Sequence, residues 1–335
     1  MKFTQEQFVQ EQKAGMPPAV EGVFLHGQVV IITGANTGIG FEAAKHFAIR
    51  EPAKLIMVCR SESKGQDALQ RVKSETGFQS VELWTVDFSS FDSVKAIKKK
   101  IEQLDRLDIL VANAAVGMYD YLATKDGWET TLQVNVLSFA LHVILHLPKL
   151  LETAKNHPNQ VPRIVLVSSD GHYLQTISSK ALDALNTLEF MTEQSQFDRS
   201  GRYSESKLLA TMWMRALQPH LSTITCVSVN PGLCRSELAR NARDEAAQYF
   251  SNLMSELGFT CEEGGRQLLY AGIGQRDRES ELRQAYVSFS RVSECSDWIL
   301  GEEGQKFEKK LWQEVNEVVG EVDKTAGEII QKYLS

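Results

Sequence analysis

Cysteine is scarce in this chain, with five in 335 residues, at Cys59, Cys226, Cys234, Cys261 and Cys295. The number is odd, and no two are spaced as C-x-x-C. A disulfide framework and a zinc cluster are therefore not expected, no metal site is predicted, and a reducing compartment fits best. Cys59 and Cys226 read as buried small hydrophobes. A basic surplus is also missing. Lys and Arg total 36 against 43 Asp and Glu, a formal net charge of -7. Without a long basic run, this field disfavours nucleic acid and anionic membranes as partners. The opening "MKFTQEQFVQEQKAGMPPAV" has no apolar centre of signal-peptide length. No apolar run is read as approaching a membrane span. The expectation is a cytoplasmic protein with no membrane span.

Hydrophobic residues make up 43% of the chain, enough for a large core. From Gly27 onward, short β-branched runs alternate with helical stretches, the pattern of βαβ units and a parallel sheet. The predicted strands are 29–33, 54–59, 81–86, 108–113, 163–168, 224–230 and 285–289. Their middle members are apolar on both faces, as buried parallel strands must be. Between the first two strands, Ile39, Ala43, Phe47 and Ala44, Ala48 form a helical stripe. With no repeat or linker, 1–335 reads as one domain. Residues 1–26 form an arm ended by Pro17 and Pro18, 27–290 the core, and 291–335 a helical extension. Two insertions interrupt the core, 172–202 and 237–262, the second carrying Leu238, Phe250, Leu253, Met254 and Leu257. In the extension, Leu311, Val315, Val318, Val319 and Val322 share a face predicted to dock on the core.

The stretch "IITGANTGIG" hands a strand over to a helix. The first N–H groups of a helix lack internal partners and carry the positive end of its dipole. Gly34, Gly38 and Gly40 permit a tight turn and the close approach of a pyrophosphate, with Asn36, Thr37 and Ile39 beside it. The spacing is G-x-x-x-G-x-G rather than G-x-G-x-x-G. The second strand ends in "VCRS". An acidic residue there would hold a ribose hydroxyl, whereas Arg60 offers a guanidinium for a 2′-phosphate. NADP(H) is therefore favoured over NAD(H). Asp87 is placed to accept from the adenine amino group or to cap the helix near Phe91.

The segment "RYSESKLLA" puts Tyr203 and Lys207 four apart on one helical face. A free tyrosine, with a pKa of about 10, is a poor base near neutrality. A neighbouring ammonium and an oxidised nicotinamide are expected to lower that value and suit Tyr203 to proton exchange with a carbonyl or alcohol oxygen. "RIVLVSSDGH" ends a strand with Ser168 and Ser169, of which only one faces the site. Its hydroxyl is suited to holding a substrate oxygen as charge develops. Asn135 lies in an apolar helical run, where its amide needs partners. It caps a local kink or holds a water beside Lys207.

Taken in order, "TGANTGIG", "ANAA" (112–115), Asn135, "VSS", Tyr203-x-x-x-Lys207 and "NPG" (230–232) resemble the short-chain dehydrogenase/reductase family over residues 27 to 236. The glycine turn with "VCRS" is most similar to the retinol-dehydrogenase-like branch, and the tail with "KLWQEV" to fungal relatives of specialised metabolism. The resemblance implies a Rossmann-type doubly wound parallel α/β sheet of about seven strands, with helices on both faces and a helical C-terminal extension. It implies Tyr203 as acid/base, Lys207 on the nicotinamide ribose, Ser169 on the carbonyl, and Asn135 in a water relay to Lys207. It also implies Asn113 at the cofactor floor, Pro231 and Gly232 passing the nicotinamide, and Ser236 near a usual threonine. The chain departs from the family pattern in three ways. Ala112 and Ala115 replace the Asn and Gly of "NNAG", and the Ser169-to-Tyr203 gap is long, so 172–202 is expected to wall the pocket. The N-terminal anchor common in the retinol branch is not expected. The implied activity is NADPH-dependent reduction of a ketone or aldehyde on an apolar small molecule, reversible as alcohol oxidation, by a monomer or homodimer. The alternative is a redox-neutral use of the site, as an epimerase or cyclisation catalyst. A cofactor sensor or scaffold would not need the Ser–Tyr–Lys–Asn set.

Overall fold

All seven predicted β-branched runs pair into one sheet. A computed structural model describes residues 3–239 and 244–335. The strands are β1 (Val29–Thr33), β2 (Lys54–Cys59), β3 (Val81–Thr85), β4 (Ile109–Ala112), β5 (Arg163–Val167), β6 (Thr225–Asn230) and β7 (Tyr286–Ser288). Their order is β3-β2-β1-β4-β5-β6-β7, all parallel. An eighth strand, β8 (Arg291–Ser293), pairs antiparallel with β7. It corrects the expected count of about seven. Three residues, two of them polar, carry no period, and the turn into it uses Phe289 and Ser290 at positive φ (52° and 54°) without a glycine signal.

β1, β4, β5 and β6 are buried along their whole length, so their residues alternate between two cores. Ile31, Leu110 and Ile164 face the helices Ser138–Asn156 and Arg202–Leu217. Val30, Ile32, Val111 and Val165 face the helices Gly38–Ala48 and Cys261–Ile273. The predicted stripe behaves accordingly, with Ala43, Ala44, Phe47 and Ala48 all buried. The five cysteines are free thiols, and Cys59 and Cys226 are buried. The switch in strand order between β1 and β4 opens a crevice at the carboxyl ends of the strands, where ligands bind in such sheets.

One expectation from the apolar runs needs correction. Among the described residues, the continuous helical stretch Thr130–Asn156 is long and apolar enough to cross a membrane, with a mean hydropathy of 1.6. Its burial accounts for this composition, since 83% of the window lies inside the fold. The extension covers the outer flank of that stretch. Phe307, Leu311, Val315 and Val319 of the Glu302–Val322 helix are buried, and Trp312 stacks on Trp213 at 5.8 Å. Glu314 accepts from the backbone N–H groups of Thr187 (2.9 Å) and Leu188 (3.2 Å). The first insertion is thereby tied to the tail. The second insertion carries the helix Asp244–Leu257, and the side chain of Phe250 lies outside the described residues.

Three buried histidines make stability depend on pH. His142, His146 and His172 have no exposed surface. Burial pushes His146 and His172 from 6.5 down to about 4, and burial followed by the His146 charge pushes His142 well below 6.5. The unfolded chain takes up these protons near 6.5, whereas folded His146 and His172 do so only near 4 and His142 well below 6.5, so stability falls as pH drops below 6.5. The slope is at most about 1.4 kcal/mol per pH unit for each histidine. Asp170 opposes them in part, because burial raises its carboxyl from 3.8 to about 6. Burial likewise raises Glu205 and Glu308, which oppose, and lowers His46, which adds, and the three fully buried histidines carry the larger effect. The urea midpoint is expected to fall from pH 7 to pH 5, and His146→Leu to flatten the decline. A midpoint independent of pH would refute this account.

Candidate active site

β1 ends at Thr33, and the chain turns through Gly34 and Gly38 at φ +67° and +62°. Thr37 is extended and precedes the Gly38–Ala48 helix without a side-chain cap, and no acidic residue stands in the first turn. The helix N-terminus thus keeps unpartnered N–H groups, the condition for seating a phosphate. Asn113, at the end of β4, braces the turn. Its Nδ2 donates to Thr33 O (2.9 Å) and Gly34 O (3.2 Å), while Thr33 Oγ1 accepts from the N–H groups of Asn113 and Ala114 (2.9 Å each). A methyl on Gly40 would overlap the Asn113 amide. Asn36, Thr37 and Ile39 line this turn, and Ile39 packs between two apolar clusters. Arg60 is exposed just past β2. Asp87 is placed differently from one of its two predicted uses. Its Oδ1 accepts from Ser89 N (2.9 Å) and Ser89 Oγ (2.7 Å), and Ser90 caps the helix Phe91–Lys95 instead.

β5 ends at the serine pair, where strand alternation separates the two hydroxyls. Ser168 is buried and bonds Thr211 Oγ1 at 2.7 Å. Ser169 faces the crevice, where its Oγ accepts from Gly171 N (3.1 Å) and its side chain lies beside the Tyr203 hydroxyl. Lys207, one helical turn on, is buried and donates to Val167 O (2.7 Å), and its Nζ stands 5.7 Å from the Tyr203 ring centre. The expected lowering of the Tyr203 pKa does not hold in the free protein. Burial drives the phenol upward, the Ser169 hydrogen bond opposes it in part, and Tyr119 adds a further rise. The same burial brings Lys207 from 10.5 down to about 8. The phenol is therefore neutral, the form of a proton donor.

Asn135 sits in a π-helical turn, Gln133–Leu137. Its Oδ1 accepts from Val116 N, and its Nδ2 donates to Val116 O and Ser206 Oγ, each at 2.9 Å. The amide is thus engaged at the kink and does not bond Lys207 itself. Such single-turn bulges concentrate at functional sites. Beyond β6, Pro231 is buried and Gly232 has φ +76°. Gly232 N donates to Asn230 Oδ1 (3.1 Å), and a methyl on Gly38 would stand 3.8 Å from Ser236 Cβ. The crevice therefore gathers the glycine turn, Asn113, Ser169, Tyr203, Lys207 and the 231–236 loop, with Arg60 and Asp87 at the ends of neighbouring strands.

Sequence reasoning missed the layer behind Ser169. His172 Nδ1 lies 2.8 Å from Ser169 O, and Ser296 N donates to Nε2 (3.3 Å), so the Nδ1–H donates to Ser169. Asp170 accepts from the Tyr286 hydroxyl (3.0 Å) and bonds the Asn230 side chain. The polar run "SDGH" directly after a buried strand was the available signal. Tyr119 was missed because nothing in its spacing marks it.

The sequence profile of a family described as short chain dehydrogenase matches residues 28–178. A short chain dehydrogenase of Arthrobotrys oligospora is 31% identical over 320 residues, covering 93% of this chain and 98% of that one. This chain belongs to the short chain dehydrogenase family. It is an oxidoreductase, and its matched relatives are of fungal type. Another short chain dehydrogenase, from Emericella nidulans, is 36% identical over 250 residues, covering 72% of this chain and 79% of that one. Among solved structures, a short-chain dehydrogenase from Sphingobium yanoikuyae in complex with NADPH aligns with a TM-score of 0.55 at 21% identity, over 75% of this chain and 85% of that one. Salutaridine reductase from Papaver somniferum aligns with a TM-score of 0.57 at 19% identity, over 77% and 99%. These two establish the shared Rossmann fold of the dehydrogenase.

Proposed function

We propose that this dehydrogenase reduces a ketone or aldehyde on an apolar small molecule, with NADPH as electron donor and Tyr203 as proton donor. The observation that carries the reading is the juxtaposition of Ser169, Tyr203 and buried Lys207, whose Nζ stands 5.7 Å from the Tyr203 ring centre, in the crevice that also holds an uncapped glycine turn. The residues fit a dinucleotide. The free N–H groups at Gly38–Gly40 suit its pyrophosphate, Asn113 and Asp87 its floor and adenine side, Arg60 a 2′-phosphate, and Pro231, Gly232 and Ser236 the nicotinamide end. When bound, NADPH supplies the hydride that reduces the carbonyl carbon.

The chain's own part is to place and protonate the oxygen. Ser169 donates a hydrogen bond to it, and His172 and Gly171 hold Ser169 in place. Tyr203, neutral in the free protein, gives up its proton. Lys207 lies near enough to stabilise the phenolate that remains, and a water held at the loosened π-turn by Asn135 is proposed to return the proton. Gly117 lies between Tyr203 and residue 238, since a methyl on it would stand 3.6 Å from Tyr203 Cδ2 and 3.8 Å from Leu238 O. The missing side chain at Gly117 leaves room beside the Tyr203 ring for a substrate. The proposed setting is a cytoplasmic enzyme of specialised metabolism, and tail helices covering the core flank favour a monomer over a homodimer.

The test is conversion of carbonyl to alcohol with stoichiometric loss of NADPH across a panel of apolar ketones and aldehydes. Product formation without net NADPH consumption would replace this reading with a redox-neutral one. Arg60→Asp is expected to weaken NADPH binding by ten-fold or more (about 1.4 kcal/mol or more) while leaving NADH binding nearly unchanged. Equal wild-type affinities for the two cofactors would remove Arg60 from the argument.

A further inference from the structure

The N-terminal arm does more than lead into β1. Its helix, Gln5–Ala14, carries a capping box between Thr4 and Gln7, and yet one of its polar side chains is buried. Gln12 is 5% exposed. Its Nε2 donates to Leu233 O (3.1 Å) and to Leu257 O (2.8 Å), and its Oε1 accepts from Leu233 N (3.1 Å). One amide therefore joins the arm to two distant segments, the loop after β6 and the end of the second insertion. The fit is close. At Gly232, a side-chain carbon would stand 3.0 Å from Gln12 Oε1 and 2.9 Å from the Phe259 ring. Next to it, Met16 is buried with Cys234 and Phe259, and Ile39 of the glycine turn packs on the same cluster. Glu11 pairs with Arg291 at 2.7 Å, and Phe3 stacks on Tyr173 at 4.8 Å.

We propose that Gln12 is a positioning residue for the dinucleotide site, holding the Gly232–Cys234 backbone against the glycine turn so that arm docking and cofactor binding favour each other. This rests on the nicotinamide reading above. Docking of the arm fixes Leu233 through both its N–H and its C=O, and the two sides of the crevice meet at the Met16 cluster. If docking improves cofactor binding, cofactor binding must stabilise docking by the same factor. A purely structural tether carries no such reciprocity.

Gln12→Met keeps the side chain's length and removes its hydrogen bonds. In the full-length variant, the Kd and KM for NADPH are expected to rise by about ten-fold, the effect of losing one or more net hydrogen bonds, with kcat at saturating NADPH within two-fold of wild type. In the wild type, NADPH is expected to slow amide hydrogen exchange across residues 5–16. A lower melting temperature with unchanged Kd and KM, or arm exchange indifferent to NADPH, would overturn the proposal. The exchange measurement needs no variant and decides the matter if Gln12→Met folds poorly. Failure of the wild type to bind any nicotinamide would overturn the cofactor reading and this proposal together. Normal binding with an unresponsive arm would overturn this proposal alone.

Discussion

Tyr203→Phe is expected to lower kcat by about a thousand-fold while leaving NADPH affinity unchanged. The substitution removes a single oxygen. That oxygen's partner is Ser169, whose hydroxyl keeps its bond from Gly171 N, so the loop stays in place. The ring still fills its site beneath Gly117. What is lost is the proton donor, and a positioned acid is worth roughly two to four orders of magnitude. The distinction from a folding defect is clean, because cofactor titration reports the same Kd for both proteins. Turnover like that of wild type on the true substrate would sink the mechanism.

Glu279→Ala is expected to lower stability by about 3 kcal/mol or more. Arg163 begins β5 and has no exposed surface. Its Nε and Nη2 donate to the two oxygens of Glu279 at 2.9 and 2.6 Å, and its Nη1 donates to Ala271 O at 2.9 Å. Removing the carboxylate strands a guanidinium inside the protein. Arg276, whose pKa is pushed down to about 10 by burial and then by Arg163, would be left facing that charge. A buried pair need not be net stabilising over an apolar replacement, but breaking one is costly. The double variant Arg163→Met, Glu279→Ala is therefore expected to recover much of the loss in urea unfolding. A single variant as stable as wild type would mean that water or another carboxylate compensates Arg163.

Much of the fold was legible because strand and helix periods differ so sharply here. All seven apolar runs became strands, since central strands buried on both faces leave no ambiguity of face. β8 was not legible, because its pairing follows from the turn at Phe289–Ser290 and from β7 beside it. The Thr130–Asn156 stretch was misjudged because Asn135, His142 and His146 break its apolar pattern in sequence, although its composition passes for a membrane span. At the site, spacing alone was enough to bring Tyr203 and Lys207 together, and alternation separated Ser168 from Ser169. The protonation state of Tyr203 was not legible, because it depends on burial and on the engagement of Lys207 with Val167 O. Asp87 offered two uses, and a neighbouring serine took one of them. Gln12 could not be found at all, and His172 left only the polar run "SDGH" as a signal. Each acts through backbone atoms, which carry no residue-type signature.

The tail's grip on the fold bears on the order of synthesis. Trp213 stands on the helix that bears Tyr203, and its Nε1 bonds Asn316 at 3.3 Å. Glu314 holds the N-terminus of the Thr187–Thr192 helix in the first insertion. Both partners lie about a hundred or more positions later in the chain. A nascent chain emerging from the ribosome can pair β1 through β7 before it possesses either contact. The helix that bears Tyr203 and the first insertion therefore stay unfinished until residues 302–322 emerge, and maturation of the enzyme is timed by its final helices.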